Sequence, residues 1–419
     1  MVARKGYKLT EVGEIPEDWE VKLLRELGDA LIGLTYSPND VCEYGTLVLR
    51  ASNIQNNSLS FEDNVYVKKN IPERIKARNG DLLICVRNGS RSLIGKSALL
   101  DERVDGMTFG AFMTVFRSSI GSMLSYLFQS EIIKRQISEY LGATINQITN
   151  ASLKSFCIPL SPHSSEQIAI ATALSDADAL IEALEQSIAK KRQIKQGAMQ
   201  ELLTGKRRLP GFGGEWKEIT LAHVGKCLRG VGYNPDSDLY SNATEDSIRL
   251  LRANNIKDDC ILFSTIQHVD KRCVSEKQIL RDGDLLICMA NGSKALVGKS
   301  AVFYCKDEYK YTFGAFMACF RAYGNIESKK IFRYLFQTIE YKQHLDILLA
   351  GTSIKNLAPS SIECFAITIP ANPKEQTAIA NILSDMDDEI AALEAKLAKA
   401  RQIKIGMMQE LLTGRIRLV

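Results

Sequence analysis

Two glycine-containing loops carry side chains suited to reading the edges of DNA bases. Each loop follows the apolar run GDLLIC, which occurs at 80–85 and again at 283–288. An arginine can bridge guanine, and an asparagine can bridge adenine, through two hydrogen bonds. Asn-Gly is also a common turn dipeptide, so a solvated turn explains these loops equally well. The candidate residues are Arg87, Asn88, Ser90 and Arg91 in the first loop and Asn291, Ser293 and Lys294 in the second.

Further polar residues recur at matching places in the two halves of the chain. LRASNI at 49–54 returns as LRANNI at 251–256, and LIGKSA at 93–98 returns as LVGKSA at 296–301. Ordinary surface charge is an equally good explanation for the lysines of these motifs. The candidates for DNA contact are Arg50, Asn53 and Lys96 in the first half and Arg252, Asn254, Asn255 and Lys299 in the second.

Two segments rich in small hydroxyl and amide side chains precede two long predicted helices. They read GATINQIT at 142–149 and GTSIKNLA at 351–358. Such side chains commonly donate to phosphates, which positions a protein on DNA without reading its sequence. A turn that caps the next helix is an equally good interpretation. The candidates are Thr144, Asn146 and Gln147 in the first segment and Thr352, Ser353, Lys355 and Asn356 in the second.

The sequence lacks the motifs of enzymes that modify or cut DNA. It has no NPPY-type methyltransferase motif, no glycine-rich cofactor loop followed by an acidic residue, and no GxxxxGK(S/T) phosphate loop. Asp236, Asp238 and Glu245 have no paired lysine of the kind that a nuclease needs. Ten cysteines without a CxxC pair, and only four histidines, favour neither a zinc site nor a disulfide framework. We therefore predict no catalytic residue, metal or cofactor in this chain.

Length and composition bound the class of protein. A chain of 419 residues with 45% hydrophobic and 24% charged residues predicts a soluble globular protein of two or three domains. Without a basic and apolar leader or an apolar run of roughly 18 residues, we expect no secretion, no membrane span and a cytoplasmic location. The net charge of +4 permits a nucleic-acid partner without requiring one. Cys85 and Cys288 are expected to be buried free thiols.

A block of sequence that occurs twice predicts two long helices. Residues 166–209 and 375–418 are identical at 29 of 44 positions, with a constant offset of 375 − 166 = 209. Their apolar residues recur at the steps of three and four that are typical of a coiled coil. The first half of each block is acidic and the second half basic, so antiparallel pairing places opposite charges side by side. At about 38 residues, each helix would be about 57 Å long.

Capping residues mark both ends of these helices. Asn372 followed by proline predicts the start of the second helix, and Ser164 with Gln167 predicts a capping box at the start of the first. Gly205 and Gly414 predict the two ends.

The repeated motifs divide the chain into two similar halves. Each half contains short β-like runs, and the first also predicts a helix at 122–141. We predict an α+β protein with two similar mixed α/β domains separated by an intramolecular antiparallel coiled coil, with pseudo-twofold symmetry. The segments are 1–18, packing near the C-terminus; 19–160, the first domain; 161–209, the first helix; 210–369, the second domain; and 370–419, the second helix. This geometry suggests a bivalent binder of a long ligand such as duplex DNA.

The motif order carries a family resemblance. GYKLTEVGEIPEDW, GDLLIC with NGS, GATINQIT and the block ending in QELLTGKRRL follow one another over the whole chain. In this order the chain resembles the specificity (S) subunit of type I restriction-modification enzymes. The resemblance implies two target-recognition domains, each reading one half of a split double-stranded DNA site, and paired helices that dock methyltransferase subunits. It also implies that adenine methylation, translocation and cleavage, with S-adenosylmethionine, ATP and Mg, belong to partner methyltransferase and restriction subunits.

Two other interpretations stay open. The same architecture would serve a specificity subunit of another restriction system, whose methylase and nuclease share one partner chain. A protein-binding adaptor would need only the coiled coil and the twin domains. A stand-alone nucleic-acid enzyme is a third reading, and its motifs are missing from the sequence.

Overall fold

The computed structural model describes residues 4–141, 146–305, 307–324, 326–350 and 356–418. The chain divides into two compact units. Unit 1 comprises Met1–Glu185 and Ala395–Val419, and unit 2 comprises Gln186–Glu394. Each unit therefore contains one globular part together with about half of each long helix.

Unit 1 contains short strands and four short helices in its described part. The strands are β1 (Tyr7–Thr10), β2 (Gly13–Pro16), β3 (Glu20–Leu23), β4 (Asp29–Ile32), β5 (Val41–Cys42), β6 (Thr46–Leu49), β7 (Ile54–Gln55), β8 (Ser58–Leu59), β9 (Tyr66–Val67), β10 (Leu82–Cys85), β11 (Ser97–Leu99), β12 (Thr108–Phe109), β13 (Met113–Arg117) and β14 (Cys157–Leu160). The helices are α1 (Leu24–Leu27), α2 (Gly121–Gln129), α3 (Glu131–Leu141), α4 (Asn150–Lys154) and the long helix α5 (Ser164–Leu202), which continues into unit 2. The helix predicted at 122–141 is thus two helices, because the amide and the hydroxyl of Ser130 both donate to the Leu127 carbonyl and end α2.

Two four-stranded sheets form the globular part of unit 1. One has the order β11-β10-β13-β4, and the other has the order β12-β6-β9-β5, in which β12 and β6 run parallel. Strand β10 is apolar at every position because both of its faces are buried. Leu82 and Ile84 pack in the core that includes the helices, whereas Leu83 and Cys85 pack with Leu49 of the second sheet.

Unit 2 repeats this topology. Its strands are β15 (Trp216–Thr220), β16 (Gly225–Arg229), β17 (Leu239–Tyr240), β18 (Ser247–Leu251), β19 (Ile256–Lys257), β20 (Cys260–Ile261), β21 (Gln267–Asp270), β22 (Leu285–Cys288), β23 (Ser300–Val302), β24 (Tyr311–Phe313), β25 (Met317–Ala322) and β26 (Ala366–Pro370). Its helices are α6 (Leu221–Val224), α7 (Ile326–Leu335), α8 (Ile339–Ala350), α9 (Pro359–Glu363) and the long helix α10 (Pro373–Leu411), which continues into unit 1. The sheets have the orders β16-β25-β22-β23 and β17-β21-β18-β24, again with one parallel pair, β18 and β24.

The long helices α5 and α10 are 39 residues each, close to the predicted length. Asn372 caps α10 as predicted, because its Oδ1 accepts a hydrogen bond from the Lys374 amide at 3.0 Å. The capping box predicted from Ser164 is wrong, since Ser164 lies inside α5. The Ser161 carbonyl instead accepts from Gln167 Nε2 at 2.7 Å.

Each long helix is followed by a glycine in the left-handed region. Gly205 has φ = +72° and Gly414 has φ = +68°, values that other residues adopt only with strain. Both glycines therefore mark the ends that the sequence predicts.

The long helices pair antiparallel within each unit. Acidic residues from the first half of one helix contact basic residues from the second half of the other. In unit 1 the pairs are Asp178 with Lys404 at 2.6 Å and Glu185 with Arg401 at 2.5 Å. In unit 2 the pairs are Asp387 with Lys195 at 2.5 Å and Glu394 with Arg192 at 2.6 Å. Each pair in unit 2 is equivalent to a pair in unit 1 in which the two helices have exchanged places, because 178 + 209 = 387 and 195 + 209 = 404. The predicted α+β class with an intramolecular antiparallel coiled coil is confirmed.

A buried glutamate joins the start of each long helix to the chain that follows the other helix. In unit 1, Glu166 has no exposed side-chain surface and accepts from the Arg417 guanidinium at 2.6 and 2.9 Å. Its second donor is the Trp19 indole at 3.3 Å. In unit 2, Glu375 accepts from Arg208 at 2.7 and 2.9 Å. Burial alone would raise the pKa of Glu166, but its hydrogen bonds, led by that of Arg417, lower the pKa below its ordinary value.

The first strands of the chain lie beside its last described residues. The Tyr7 hydroxyl donates to the carbonyls of Gly414 and Arg415 at 3.4 Å. The Arg417 guanidinium bonds both carboxylate oxygens of Asp18, at 2.9 and 2.8 Å. Segment 1–18, for which we predict a position near the C-terminus, therefore contacts residues 414–417 within unit 1.

The repeated motif YLFQ joins each globular part to the helix pair. In unit 2 the Tyr334 hydroxyl donates to Asp387 at 3.0 Å, and Lys195 Nζ lies 5.4 Å from the centre of the tyrosine ring. In unit 1 Lys404 Nζ lies 5.4 Å from the centre of the Tyr126 ring. Burial, and next the charge of the adjacent aspartate, raise the pKa of both tyrosines, which keeps each hydroxyl a hydrogen-bond donor.

The ten cysteines are free thiols. Cys85 and Cys288 are fully buried, as predicted, and burial raises the pKa of each thiol. In the described ranges, no helix is both long enough and apolar enough to cross a membrane.

Candidate nucleic-acid interface

Three loop segments converge at one place in unit 1. They are the loop after β10, the turn between β12 and β13, and the stretch before α4. The amides of Val86 and Arg87 donate to the Phe112 carbonyl at 3.1 and 3.2 Å. Arg87 also forms a β-bridge with Gln147. Two residues predicted to contact DNA, Arg87 and Gln147, are therefore neighbours, and both are exposed.

Arg50 approaches the same place from strand β6. The carbonyl of Leu49, at the end of β6, accepts from the Gly110 amide at 2.9 Å, two residues before Phe112. The Arg50 guanidinium lies 3.0 Å from Asp63 and is about one-third exposed. The cation is thus partly neutralised within the protein but still reaches solvent.

The same three segments converge in unit 2 and line a cleft of about 1140 Å³. The amides of Met289 and Ala290 donate to the Phe316 carbonyl at 2.9 and 3.3 Å, and Ala290 forms a β-bridge with Asn356. The cleft is therefore the counterpart of the site around Arg87. The predicted residues that line it are Arg252, Asn254, Asn291 and Asn356.

Glycine allows another segment to complete this site in both units. A Cβ at Gly230 would lie 2.0 Å from the Gly314 carbonyl oxygen, so only glycine permits the next residue to bridge to Gly314. This close approach brings Tyr233 into the cleft of unit 2. Gly33 makes the corresponding approach in unit 1, where a Cβ would lie 2.3 Å from the Gly110 carbonyl oxygen.

Asn53 and Asn255 are not at the surface, which corrects the prediction that they contact DNA. Both side chains are buried, and each Oδ1 accepts from the amide of the arginine three residues earlier at 2.9 Å. Their amide groups donate to carbonyls seven and ten residues further along the chain. Because every polar atom is bonded within the fold, these asparagines shape the loop that presents Arg50 and Arg252.

Asn88 and Asn291 also form part of their own loops. Asn88 Oδ1 accepts from the Ser90 amide at 2.9 Å, and Asn291 Oδ1 accepts from the Ser293 amide at 3.0 Å. These bonds are typical of an Asn-Gly turn, and because an amide oxygen can accept two hydrogen bonds, contact of either asparagine with adenine stays a prediction. The hydroxyl-bearing residues Ser90 and Ser293 are exposed.

The remaining basic candidates lie on a different cleft. In unit 2, Lys294 and Lys299 line a cleft of about 320 Å³ that shares no lining residue with the one around Phe316. In unit 1, Arg91 and Lys96 line a corresponding cleft of about 420 Å³. The structure therefore separates these four residues from the group around Arg87 and Asn254.

Of the candidates before the long helices, Asn146, Gln147 and Asn356 are exposed. Thr144, Thr352, Ser353 and Lys355 lie outside the described residues. No group of histidine, cysteine, aspartate and glutamate in the described ranges is arranged to hold a metal ion.

One protein-family model matches both halves of the chain, and each match contains one copy of this site. The sequence model described as "Type I restriction modification DNA specificity domain" matches residues 16–196 and again 215–402. The two matches cover most of the chain. The chain belongs to this family.

Known relatives match the whole chain or about half of it. The chain is 26% identical to the putative type I restriction enzyme MjaX specificity subunit of Methanocaldococcus jannaschii, over 99% of this chain and 97% of that protein. It is 29% identical to the EcoKI specificity subunit of Escherichia coli, over 48% and 42% of the two chains. The crystal structure of a type I S subunit from M. genitalium shares the fold, with a TM-score of 0.58 and 15% identity over 96% and 97% of the chains.

The family defines the role of the two units. The protein is a type I specificity subunit with two target-recognition domains, and it is a non-catalytic subunit, because catalysis in this family lies in partner subunits. The alternatives of a protein-binding adaptor and of a stand-alone enzyme are therefore set aside.

Sequence reasoning missed the aromatic ring at the centre of each site in this specificity subunit. Phe112 is 58% exposed and Phe316 is 71% exposed, although the threonine, the first phenylalanine, the glycine and the methionine of the motif TFGAFM are buried in both copies. The sequence signal that could have identified these two rings is the alanine before each of them. The motif FGAF places a large apolar side chain at the tip of a short turn. Recurrence of the motif alone indicated a shared fold.

Proposed function

We propose that one surface in each target-recognition domain contacts the bases of the DNA target. We call it the readout surface. It consists of Arg50, Arg87, Phe112 and Gln147 in unit 1 and of Arg252, Asn254, Phe316 and Asn356 in unit 2. The observation that carries this proposal is the convergence of the same backbone segments in both units, each presenting a cation, an amide and an exposed ring.

The chemistry of the readout surface suits a groove of DNA. Guanidinium and amide groups make the hydrogen bonds that distinguish base pairs in the major groove, and an apolar ring can contact the methyl group of thymine. The separate basic clefts with Arg91 and Lys96, and with Lys294 and Lys299, suit phosphate oxygens, which position a protein without reading sequence. Asn146 and the candidates outside the described residues remain proposals for the same phosphate role. Ser90 and Ser293, with Asn88 and Asn291, remain proposals for contact with a groove.

Each domain is proposed to read one half of a split double-stranded site. Support comes from the repetition of the readout surface and from the helices, because α5 and α10 each belong to both units. Because each helix contributes to both units, we expect the length of the helices to set the spacer between the half-sites. The two half-sites are expected to be related and inverted, since the domains share their motifs in the same order.

Lengthening both helices is expected to lengthen the spacer and leave the half-sites unchanged. Seven residues would be inserted between Ser187 and Ile188 and seven between Lys396 and Leu397, which are equivalent positions because 396 − 187 = 209. A full heptad preserves the apolar stripe. Each helix grows by about 10 Å, so the spacer gains no more than about three base pairs. Sequencing the DNA methylated by the assembled enzyme measures both quantities, and altered half-sites with an unchanged spacer would refute the proposal.

The partners are proposed to be two methyltransferase subunits and the restriction and translocation subunits, which would hold S-adenosylmethionine, ATP and Mg. Support for two equal docking sites comes from the long helices. Ile194 in unit 2 and Ile403 in unit 1 occupy equivalent positions, since 403 − 194 = 209, and are 49% and 51% exposed. Because such assemblies act on cellular DNA, we propose a cytoplasmic location.

One copy of this chain is expected to bind two methyltransferase subunits. Ile194→Asp and Ile403→Asp should each weaken one copy by roughly tenfold, because each places a charge in an apolar contact. At a methyltransferase concentration between the natural and the weakened dissociation constants, native mass spectrometry would show mainly two copies with the natural chain, one with either variant and none with both. Ile347→Asp is the matched control, because Ile347 is 75% exposed on α8, outside the long helices. A single copy on the natural chain would rule out the two-site arrangement.

A further inference from the structure

The equivalent rings of Phe112 and Phe316 have different surroundings in the two readout surfaces. In unit 1 the Arg87 guanidinium carbon lies 5.1 Å from the centre of the Phe112 ring. No salt bridge or side-chain hydrogen bond to Arg87 is present among the described residues. The ring is therefore the feature of the fold that orients this guanidinium, by a cation–π contact.

In unit 2 no cation of the described residues lies over the equivalent ring, Phe316. Alanine occupies position 290, equivalent to Arg87, while the backbone hydrogen bonds to the Phe316 carbonyl are retained. Phe316 is 71% exposed, compared with 58% for Phe112, and lines the open cleft beside Asn254 and Asn356. The backbone presents the two rings in the same way, so the residue at position 87 or 290 decides what each ring can contact.

We propose that Phe112 is a positioning residue for Arg87, whereas Phe316 contacts DNA directly. In unit 1 the Phe112 ring orients the planar Arg87 guanidinium. The outer edge of the guanidinium can then donate hydrogen bonds to O6 and N7 of a guanine. In unit 2 the uncovered ring packs on the C5-methyl group of a thymine in the major groove. The inference rests on the proposed readout surface and assigns a different base to each half-site.

The first arm of the test compares Arg87→Ala, Phe112→Ala and the double variant in the assembled methyltransferase complex. Affinity is measured by competition between two kinds of duplex. One carries the motif that the enzyme methylates, and the other carries the same motif with one guanine replaced by 7-deazaguanine, which lacks N7. Arg87→Ala is expected to lose about tenfold discrimination at one guanine. Phe112→Ala should lose about threefold or more at the same guanine, with no added loss in the double variant. Phe112→Tyr should retain the discrimination and Phe112→Leu should not, which separates orientation by an aromatic face from simple packing.

The second arm replaces single thymines by deoxyuridine, which lacks only the methyl group. The natural chain is expected to bind about threefold or more weakly when one thymine of the other half-site is replaced, since one buried methyl contributes about that factor. Phe316→Ala should be insensitive to this replacement. Because both rings are more than half exposed, the variants are expected to fold.

The outcomes separate the inference from the proposed function. If Arg87→Ala loses discrimination at one guanine but Phe112→Ala retains it, the positioning role is overturned and the readout surface stands. Equal sensitivity of Phe316→Ala and the natural chain to deoxyuridine overturns the thymine contact. If Arg87→Ala and Phe316→Ala lower affinity evenly for all duplexes, the readout surface itself is refuted and the inference fails with it.

Discussion

Replacing Arg417 by alanine is expected to lower the free energy of unfolding by about 3 kcal/mol or more. The Glu166 carboxylate that it contacts has no exposed surface and would stay buried without a positively charged partner, while the neutral Trp19 indole still donates to it. Breaking a buried ion pair from one side costs more than the pair contributes, because the other charge is left without compensation. Thermal and urea unfolding of the chain measures the loss.

A second ion pair supplies the matched control. Arg401 of α10 contacts Glu185 of α5, but these two side chains are 56% and 47% exposed. Arg401→Ala should therefore cost less than about 1 kcal/mol. Adding Glu166→Gln to Arg417→Ala should recover part of the loss, because it removes the unpaired charge. Equal losses from Arg417→Ala and Arg401→Ala would contradict the role assigned to the buried pair.

The same pair predicts a dependence on pH. The folded-state pKa of Glu166 is lowered from its ordinary value of 4.5. A lowered pKa contributes stability that is fully present above the ordinary value and is lost as pH falls through the folded-state value. The natural chain should therefore lose stability below pH 4.5 more steeply than a chain with Glu166→Gln.

Replacing Arg87 by alanine is expected to remove about 1 to 3 kcal/mol of discrimination at one base pair of one half-site. The guanidinium is exposed, lies on the readout surface and is absent from the equivalent position in unit 2, where Ala290 takes its place. The other half-site should be unaffected. Competitive binding of the assembled complex to duplexes that differ at one base pair measures the change.

Arg91→Ala is the control for this prediction. Arg91 lies in the same loop but lines the separate cleft beside α3 and donates to the Ser138 carbonyl at 3.4 Å. If Arg91 contacts a phosphate, its loss should weaken binding evenly over all sequences. The slope of log affinity against log salt concentration should then become smaller by about one unit. An even loss from Arg87→Ala as well would place Arg87 among the phosphate contacts and remove it from the readout surface.

The long helices could be predicted because their evidence is local and repeated. The acidic and basic halves of each helix define the antiparallel direction, and the offset of 209 relates exchanged pairs such as Asp178 with Lys404 and Asp387 with Lys195. Glycine and asparagine mark the ends for reasons of backbone geometry. The start of α5 differs from the prediction by one residue, because the Gln167 side chain bonds the Ser161 carbonyl, a backbone group that residue types do not reveal.

The composition of the site was harder to predict, because a sequence does not reveal which way a polar side chain points. Asn53 resembles a surface amide, yet its carbonyl and amide groups are all bonded inside the fold. Arg87 and Arg91 are four residues apart, but Arg87 lies over the Phe112 ring whereas Arg91 lines the cleft beside α3. Phe112 looks like a core residue by type and is more than half exposed. Only tertiary contacts distinguish these cases.

The central claim is that each unit reads its own half of the DNA target. It is tested most directly by methylation of a DNA library, randomised at every position of the site, with the enzyme assembled around the natural chain, Arg87→Ala or Asn254→Ala. Asn254 is exposed and lines the cleft of unit 2. We expect Arg87→Ala to relax selection in one half-site and Asn254→Ala to relax selection in the other, with the spacer unchanged. Relaxation of the same half-site by both variants, or an even loss across all positions, would contradict it.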